Sequence, residues 1–319
     1  MLRCSLESRR LGYLVQRYGD SRDGDRVGRG MNPFCETQML QEVASGAHTT
    51  AQLLAVGAVV QGDPLSALGF LLREGRMPRI GDSTPPWRYK GWLRLLIQAL
   101  HAYAGSQTGF PDRWGYLAQV VTSRSLPAAP IPQVDFCHPD AAILKRTEDW
   151  LTILDRAGGQ WNSFQDFVRF LGWGLGVIPE DPNLPDKLSE ELYRTVDLGQ
   201  WLKKPGDYLG ELAAIRYGGG PHKFFPTPHS ICEAMARFII QEGREEKRGK
   251  SCNDPAMGSG RMLLHASNHS LRLSGNDIDE VMVMLTRINL AVYAPWGLFN
   301  LDFLGDPETL VVELPEGLV

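Results

Sequence analysis

The sequence predicts an α/β protein in which a mainly helical part precedes a parallel sheet flanked by helices. Residues 36–217 carry apolar side chains at three-to-four spacing, which is typical of amphipathic helices. After the glycine-rich stretch Gly218–Pro221, short strand-like pieces alternate with helical ones, the pattern of βαβ units. We therefore expect two domains, a helical domain over residues 1–220 and an α/β domain over residues 221–319.

Composition excludes several broad classes of function. The chain of 319 residues is 43% hydrophobic, with a net charge of −4 that creates no global basic field for nucleic acid. The longest apolar run, Leu53–Val60, is far shorter than the roughly 20 residues that span a bilayer, so no membrane partner is expected. The five cysteines form no CxxC pair, which indicates reduced thiols in a cytoplasmic protein without disulfides or a zinc site.

Three helices stand out in the first part of the chain. The pattern predicts them at Pro86–Ala104, at Pro139–Ala157 and at Ser163–Leu171. Proline-rich breaks at Leu126–Gln133 and Pro179–Pro185 separate the helical groups.

One helical pair, His48–Gly75, has the spacing of a DNA-reading helix-turn-helix. A groove-reading helix needs Arg, Lys, Asn or Gln in its first turns, but positions 65–68 are Leu, Ser, Ala and Leu. The composition favours an ordinary helical hairpin.

The stretch Asp254–Leu263, DPAMGSGRML, is the first candidate binding element. Pro255 ends a preceding strand, because proline cannot donate to a sheet ladder. Gly258 and Gly260 allow positive φ and a close backbone approach by a ligand, and a helix is expected from Arg261. Taken alone, this pattern fits a plain strand-to-helix turn equally well.

Flanking segments favour a nucleotide-like ligand. The short strand Leu273–Asp279 carries Asp277, an acid about 20 residues past the glycine turn, where it can accept hydrogen bonds from ribose hydroxyls. Upstream, Phe224–Ile239 predicts an amphipathic helix with Thr227 as N-cap and Pro228 in the first position.

A further helix and strand are expected downstream. The helix runs from Glu280 to about Tyr293, and Leu298–Leu304 follows as a strand. Asp302 and Phe303 would lie at the carboxyl end of that strand, where parallel sheets bind ligands. Asp302 could accept from an adenine amino group while Phe303 packs on the ring.

Together these pieces resemble the S-adenosylmethionine-binding half of N6-adenine DNA methyltransferases, most closely the modification subunits of type I restriction systems. The matching pieces, in order, are Phe225–Pro228, Asp254–Gly260, Gly275–Asp279, Asn289–Tyr293 and Asp302–Leu304. The resemblance covers about residues 221–305. It implies an incomplete Rossmann-like methyltransferase sheet after the helical domain, with S-adenosylmethionine as cofactor and DNA as partner.

The resemblance implies two groups of cofactor-binding residues. At the methionine end, Thr227 would contact the carboxylate, and Asp254 and Ala256 would face the amino-acid part over the backbone of Gly258 and Gly260.

At the adenosine end, Asp277 would take the ribose hydroxyls with Ile278 against the adenine. Asp302 would meet the adenine amino group, with Phe303 on the ring.

Two departures from the family pattern matter. Arg261 stands in the first turn of a helix, where a cation opposes the helix dipole. Either it has another partner or its side chain is solvated, and we favour the solvated side chain.

The second departure is the N-P-P-[YF] segment, which holds the flipped adenine in the family and does not follow Leu304. Thr309–Val312 is the expected fourth strand, and a permuted catalytic turn at Met31–Cys35 is disfavoured because it has one proline and no flanking strands. Catalytic residues therefore stay unknown.

Three functions remain open at this point. The first is a methyltransferase-family protein that is inactive alone and is completed by a missing catalytic segment, a partner subunit or a second copy of the chain. The second is a non-enzymatic, DNA-associated or regulatory protein that keeps the fold as a scaffold. The third, a dinucleotide-dependent oxidoreductase, is weakened because GSG replaces G-x-G-x-x-G.

Overall fold

The structure, a computed structural model, describes residues 85–101 except 89, 95, 96 and 99, together with 111–136, 139–157, 160–217, 224–241 and 248–304. Within these ranges the helices are α1 (Arg113–Ser123), α2 (Ala141–Asp155), α3 (Gln160–Gly174), α4 (Asp186–Thr195), α5 (Gly199–Lys203), α6 (Tyr208–Tyr217), α7 (His229–Gln241), α8 (Arg261–Ala266) and α9 (Glu280–Tyr293), and the strands are β1 (Ser251–Asp254) and β2 (Arg272–Gly275). The sequence predictions at His48–Gly75, Met31–Cys35 and Thr309–Val312 lie outside the described residues.

Aspartate caps set the start of several helices. Asp140 accepts hydrogen bonds from the backbone N–H groups of Ala142 and Ile143 at the start of α2, and Asp279 accepts from Val281 at the start of α9. The predictions for α2, α3 and α9 are confirmed. Both proline-rich breaks are free of helix, as predicted.

The two strands pair in parallel, and α8 connects them. Ser251 faces Arg272 and Asp254 faces Gly275, so both strands end at the same edge. This arrangement of helices around a small parallel sheet fits the predicted α/β class. The second strand is shorter than predicted, because it ends at Gly275 rather than at Asp279.

The strand predicted at Leu298–Leu304 is not formed. Pro295–Leu298 and Asp302–Leu304 are single 3-10 turns instead. The Asn300 side chain accepts from the Asp302 backbone N–H at 2.9 Å, and the Leu304 N–H donates to the Leu301 carbonyl at 2.9 Å. These local hydrogen bonds satisfy the backbone in place of a sheet ladder.

One hydrophobic core runs through the helical and the α/β parts of the described structure. Helix α9 lies at its centre: the indole N–H of Trp114 donates to the Ala291 carbonyl at 3.1 Å, and a ring nitrogen of His101 lies 2.7 Å from the Val292 carbonyl. The predicted domain boundary at residue 220 stays a prediction. Among the described residues, no helix has the length and apolarity to cross a membrane.

Buried Arg113 joins α1 to the ends of α8 and α9. Its guanidinium donates to the Pro132 carbonyl at 2.9 Å, to the Tyr293 carbonyl at 3.1 Å and to the side chains of Ser267 and Asn268. Burial lowers the pKa of Arg113 to about 9. The side chain thus ties the linker after α1 to the element pair that flanks the glycine turn.

Candidate functional site

The glycine turn leaves β1 and is fastened to the end of β2. The Asn276 N–H donates to the Asp254 carbonyl at 3.0 Å, and the Met257 N–H donates to the Asn276 carbonyl at 3.0 Å. Gly258 has φ 53° and Gly260 has φ 82°, which confirms the predicted positive φ values. The turn is therefore held between the carboxyl ends of the two strands, the edge at which open parallel sheets bind ligands.

Neither glycine of the turn has room for a side chain. A Cβ atom at Gly258 would lie 2.8 Å from the Phe224 ring, and one at Gly260 would lie 2.8 Å from the Thr286 side chain. The Thr286 hydroxyl also donates to the Gly258 carbonyl at 2.8 Å. The neighbours from α9 and from the segment before α7 thus fix the path of the turn.

Asp277 lies directly against the turn. One oxygen of its half-buried carboxylate accepts from the Gly258 N–H at 2.8 Å, and the other accepts from the Asp279 N–H at 2.9 Å. A carboxylate has about four acceptor positions, so capacity for ligand hydroxyls remains. Its ribose-binding role stays a prediction, but its placement beside the turn agrees with it.

The predicted methionine-end residues also approach the turn. The Asp254 carboxylate accepts from the Ala256 N–H at 3.1 Å. Thr227 is exposed, and its carbonyl accepts from Arg261 at 3.1 Å. The prediction of Thr227 as N-cap is wrong by one position: α7 begins at His229, and the Pro228 carbonyl accepts the first helical hydrogen bonds.

The favoured expectation of a solvated Arg261 is wrong. This side chain is only 5% exposed, and it forms ion pairs with Asp207 at 3.1 Å and with Glu211 at 2.8 Å. Two carboxylates outweigh the unfavourable helix dipole, which costs up to about 2 kcal/mol at a buried position. The arginine therefore points into the protein, towards α6, rather than into solvent.

Sequence reasoning missed Asp207, which is fully buried beside the turn. It accepts from the Ser259 hydroxyl, from the Asn289 side-chain amide at 2.8 Å and from the Gly210 N–H at 2.9 Å. The pattern Asp-x-x-Gly at the start of a helix signals a cap. Nothing local signals the other two partners, Ser259 and Asn289, which lie 52 and 82 residues along the chain.

Asp302 and Phe303 do not join this group. Asp302 forms an ion pair with Arg272, the first residue of β2, at 3.0 Å, whereas the glycine turn lies at the other end of that strand. Hydrogen bonds with Asn300 and Arg272 lower the pKa of Asp302. The Arg124 guanidinium lies 4.8 Å from the centre of the Phe303 ring. Their roles at the adenine stay predictions that this geometry does not support.

Ile278, the other predicted adenine contact, is 96% exposed next to Asp277. A single exposed apolar side chain is common on protein surfaces, so the contact of Ile278 with adenine stays a prediction.

Comparison with known proteins supports the family relationship. Residues 210–294 match the family model described as N-6 DNA Methylase. This segment is related to the N-6 DNA methylases. The resemblance read from the sequence over about residues 221–305 is thereby confirmed for residues 221–294, which include the glycine turn and Asp277. Asp302 lies beyond the matched segment and Asp207 lies before it. No curated protein and no solved structure gave a significant match to the chain.

A cavity of about 630 Å³ borders the methylase-related turn without coinciding with the predicted site. Met257 and Gly275 reach its wall, but none of the nine predicted cofactor residues does. Lys90, Arg94 and Arg287 bring three cations to the wall, and the described lining includes no carboxylate. Burial and the charge of Arg94 lower the pKa of Lys90.

The chain also contains a Pro-Pro-aromatic run at Pro85–Trp87, which the sequence interpretation missed. In N-6 DNA methylases a run of this type would present its aromatic ring to a flipped base. Trp87 is buried here: its ring centre lies 5.5 Å from that of Tyr193, and its N–H donates to Asp186 at 3.2 Å. The ring serves the core and is not open to a base.

Proposed function

We propose that the methylase-related segment binds S-adenosylmethionine at the glycine turn, within a Rossmann-like sheet, as the cofactor half of a DNA adenine-N6 methyltransferase. The observation that carries the proposal is the contact between the Asp277 carboxylate and the Gly258 N–H, at 2.8 Å. It brings the acid after β2 to the turn after β1, as a nucleoside-binding site at this sheet edge requires.

The charge around the turn fits this cofactor better than a phosphate-bearing one. S-adenosylmethionine offers a cationic sulfonium, an ammonium group and a ribose diol, and it carries no phosphate. Asp254 and Asp277 bring carboxylates to the turn, whereas Arg261, the cation beside it among the described residues, is engaged by Asp207 and Glu211. A dinucleotide would place its pyrophosphate near these two carboxylates, and the described part of the turn offers no free cation to offset them, which is electrostatically unfavourable.

The bound cofactor would supply the methyl group, and the residues of the chain would position it. Asp277 would accept hydrogen bonds from the ribose diol, Asp254 would attract the ammonium group, and Thr227 would lie beside the carboxylate. Ile278 would lose exposed apolar surface on binding, which favours association by roughly 25 cal/mol per Å².

Transfer to adenine N6 also needs acceptors for the target amino group and an aromatic surface for the flipped base. The sequence shows no N-P-P-[YF] segment, and Trp87 is buried. We therefore propose that the chain binds the cofactor by itself but transfers no methyl group until another segment, a partner subunit or a second copy supplies those groups. DNA remains the proposed substrate on the strength of the family relationship.

Titration calorimetry with S-adenosylmethionine, NAD and ATP tests the cofactor assignment. The proposal expects heat of binding with S-adenosylmethionine alone. Binding of NAD in its place would favour the oxidoreductase alternative and refute the proposal. In parallel, transfer of labelled methyl from S-adenosylmethionine to DNA by the lone chain would contradict the proposed need for a second component.

A further inference from the structure

Asp207 connects the helical part of the protein to the glycine turn. It is fully buried and immediately precedes α6. One carboxylate oxygen accepts from the Gly210 N–H at 2.9 Å and from the Asn289 amide at 2.8 Å. The other accepts from the Ser259 hydroxyl and from the Arg261 Nε at 3.1 Å.

Three of these four donors control the turn itself. Ser259 and Arg261 are the immediate neighbours of Gly260, so both sides of that glycine are attached to one carboxylate. The Asn289 amide, from α9, bridges Asp207 and the Ser259 carbonyl at 2.9 Å. Because each donor is fixed on a different element, the carboxylate holds the turn in one conformation.

A buried charge of this kind is costly unless its partners compensate it. Asp207 has a guanidinium and three neutral donors, which use the acceptor capacity of a carboxylate almost completely. Such a site is sensitive to a single change, because an asparagine would direct an N–H group at one of the existing donors.

We propose that Asp207 is a positioning residue, which orders the turn so that the Gly258 N–H and the Asp277 carboxylate keep the geometry that a cofactor requires. The expected effect of Asp207 on cofactor affinity rests on the proposed function, whereas its expected effect on the order of the turn does not. It makes the order of the turn dependent on the helical part, although the two are separated in sequence.

The test separates positioning from simple stabilisation. Asp207→Asn leaves Arg261 buried with Glu211 as its one remaining charged partner, so both the folded state and the turn should loosen. Asp207→Asn combined with Arg261→Met removes both partners of the buried pair. We expect this double variant to regain much of the lost stability, because the buried cation that Glu211 alone compensates incompletely is gone, while the turn stays loose.

Three measurements are made on each variant: the urea midpoint, hydrogen exchange of the peptide covering residues 255–260, and the affinity for S-adenosylmethionine. In both the single and the double variant we expect faster exchange of this peptide and roughly tenfold weaker binding of S-adenosylmethionine. The urea midpoint should recover in the double variant only. Asp155→Asn, which breaks the Arg216 ion pair of 3.0 Å within the helical part, is the matched control and should leave the exchange of the turn unchanged.

The outcomes are distinct. If exchange and affinity recover in step with the urea midpoint in the double variant, Asp207 is merely structural and the inference is wrong. If the wild-type chain binds no S-adenosylmethionine, the proposed function fails, and the exchange of residues 255–260 still decides whether Asp207 positions the turn.

Discussion

Replacing Gly260 with alanine tests whether the turn is packed as tightly as the structure shows. Gly260 has φ 82°, and an added Cβ would lie 2.8 Å from both Cγ2 and Oγ1 of Thr286. The variant therefore meets two separate penalties, one from the left-handed backbone and one from overlap with α9.

Both penalties can be given magnitudes. A non-glycine residue in the left-handed region costs about 1 kcal/mol, and overpacking a tight site adds typically 1–3 kcal/mol, so Gly260→Ala should lose about 2–4 kcal/mol of unfolding free energy. Gly91 supplies the matched control, because it has the same φ of 82° but no described atom within 4 Å of an added Cβ. Gly91→Ala should lose only the backbone part, about 1 kcal/mol.

Urea unfolding followed by tryptophan fluorescence measures both losses. The second change Thr286→Ser removes the Cγ2 methyl but keeps the hydroxyl that donates to the Gly258 carbonyl. Added to Gly260→Ala, Thr286→Ser should relieve part of the overlap penalty and so recover some unfolding free energy. It should leave the backbone penalty unchanged. The reasoning is refuted if Gly260→Ala costs no more than Gly91→Ala, or if Thr286→Ser gives no recovery.

Two further predictions concern the core that supports the site. Burial lowers the pKa of His101 to about 3 and that of His265 to about 4, whereas both titrate near 6.5 in the unfolded chain, so the unfolded state takes up protons first as the pH falls. Well above pH 6.5 these groups should not affect stability, and between pH 6.5 and 5 the free energy of unfolding should fall by about 1.6 kcal/mol for each histidine. A flat profile of urea midpoints over this range would contradict the assignment. Arg113→Met removes a donor from the carbonyls of Pro132 and Tyr293 and from the side chains of Ser267 and Asn268, and it should cost about 3 kcal/mol or more in the same assay. A loss under about 1 kcal/mol would show that the guanidinium is dispensable.

Local pattern was sufficient for the elements next to the glycine turn. The range of α9 and the end of β1 at Asp254 follow from apolar periodicity, an aspartate cap and a proline. The positive φ values of Gly258 and Gly260 follow from residue type in a strand-to-helix turn. These features depend on neighbours within a few residues, which a single sequence displays.

Long-range contacts were beyond the reach of the sequence. A solvated Arg261 was a reasonable expectation, because its partners Asp207 and Glu211 are 54 and 50 residues away. The strand expected at Leu298–Leu304 failed for a different reason: its apolar pattern suits a strand, but the side chain of Asn300 offers the backbone a local hydrogen bond that a strand would forgo. The position of Asp302 away from the turn follows from that failure.

The most direct test of the account is the affinity of Asp277→Asn for S-adenosylmethionine, measured by titration calorimetry beside Glu280→Gln. Each variant removes one negative charge, and the two positions are three residues apart. Asp277 contacts the turn, whereas Glu280 is exposed on α9. The account predicts that the wild type and Glu280→Gln bind alike and that Asp277→Asn loses at least roughly tenfold in affinity, about 1.4 kcal/mol. Equal affinity in all three proteins, or no binding by the wild type, would contradict a cofactor site at the glycine turn.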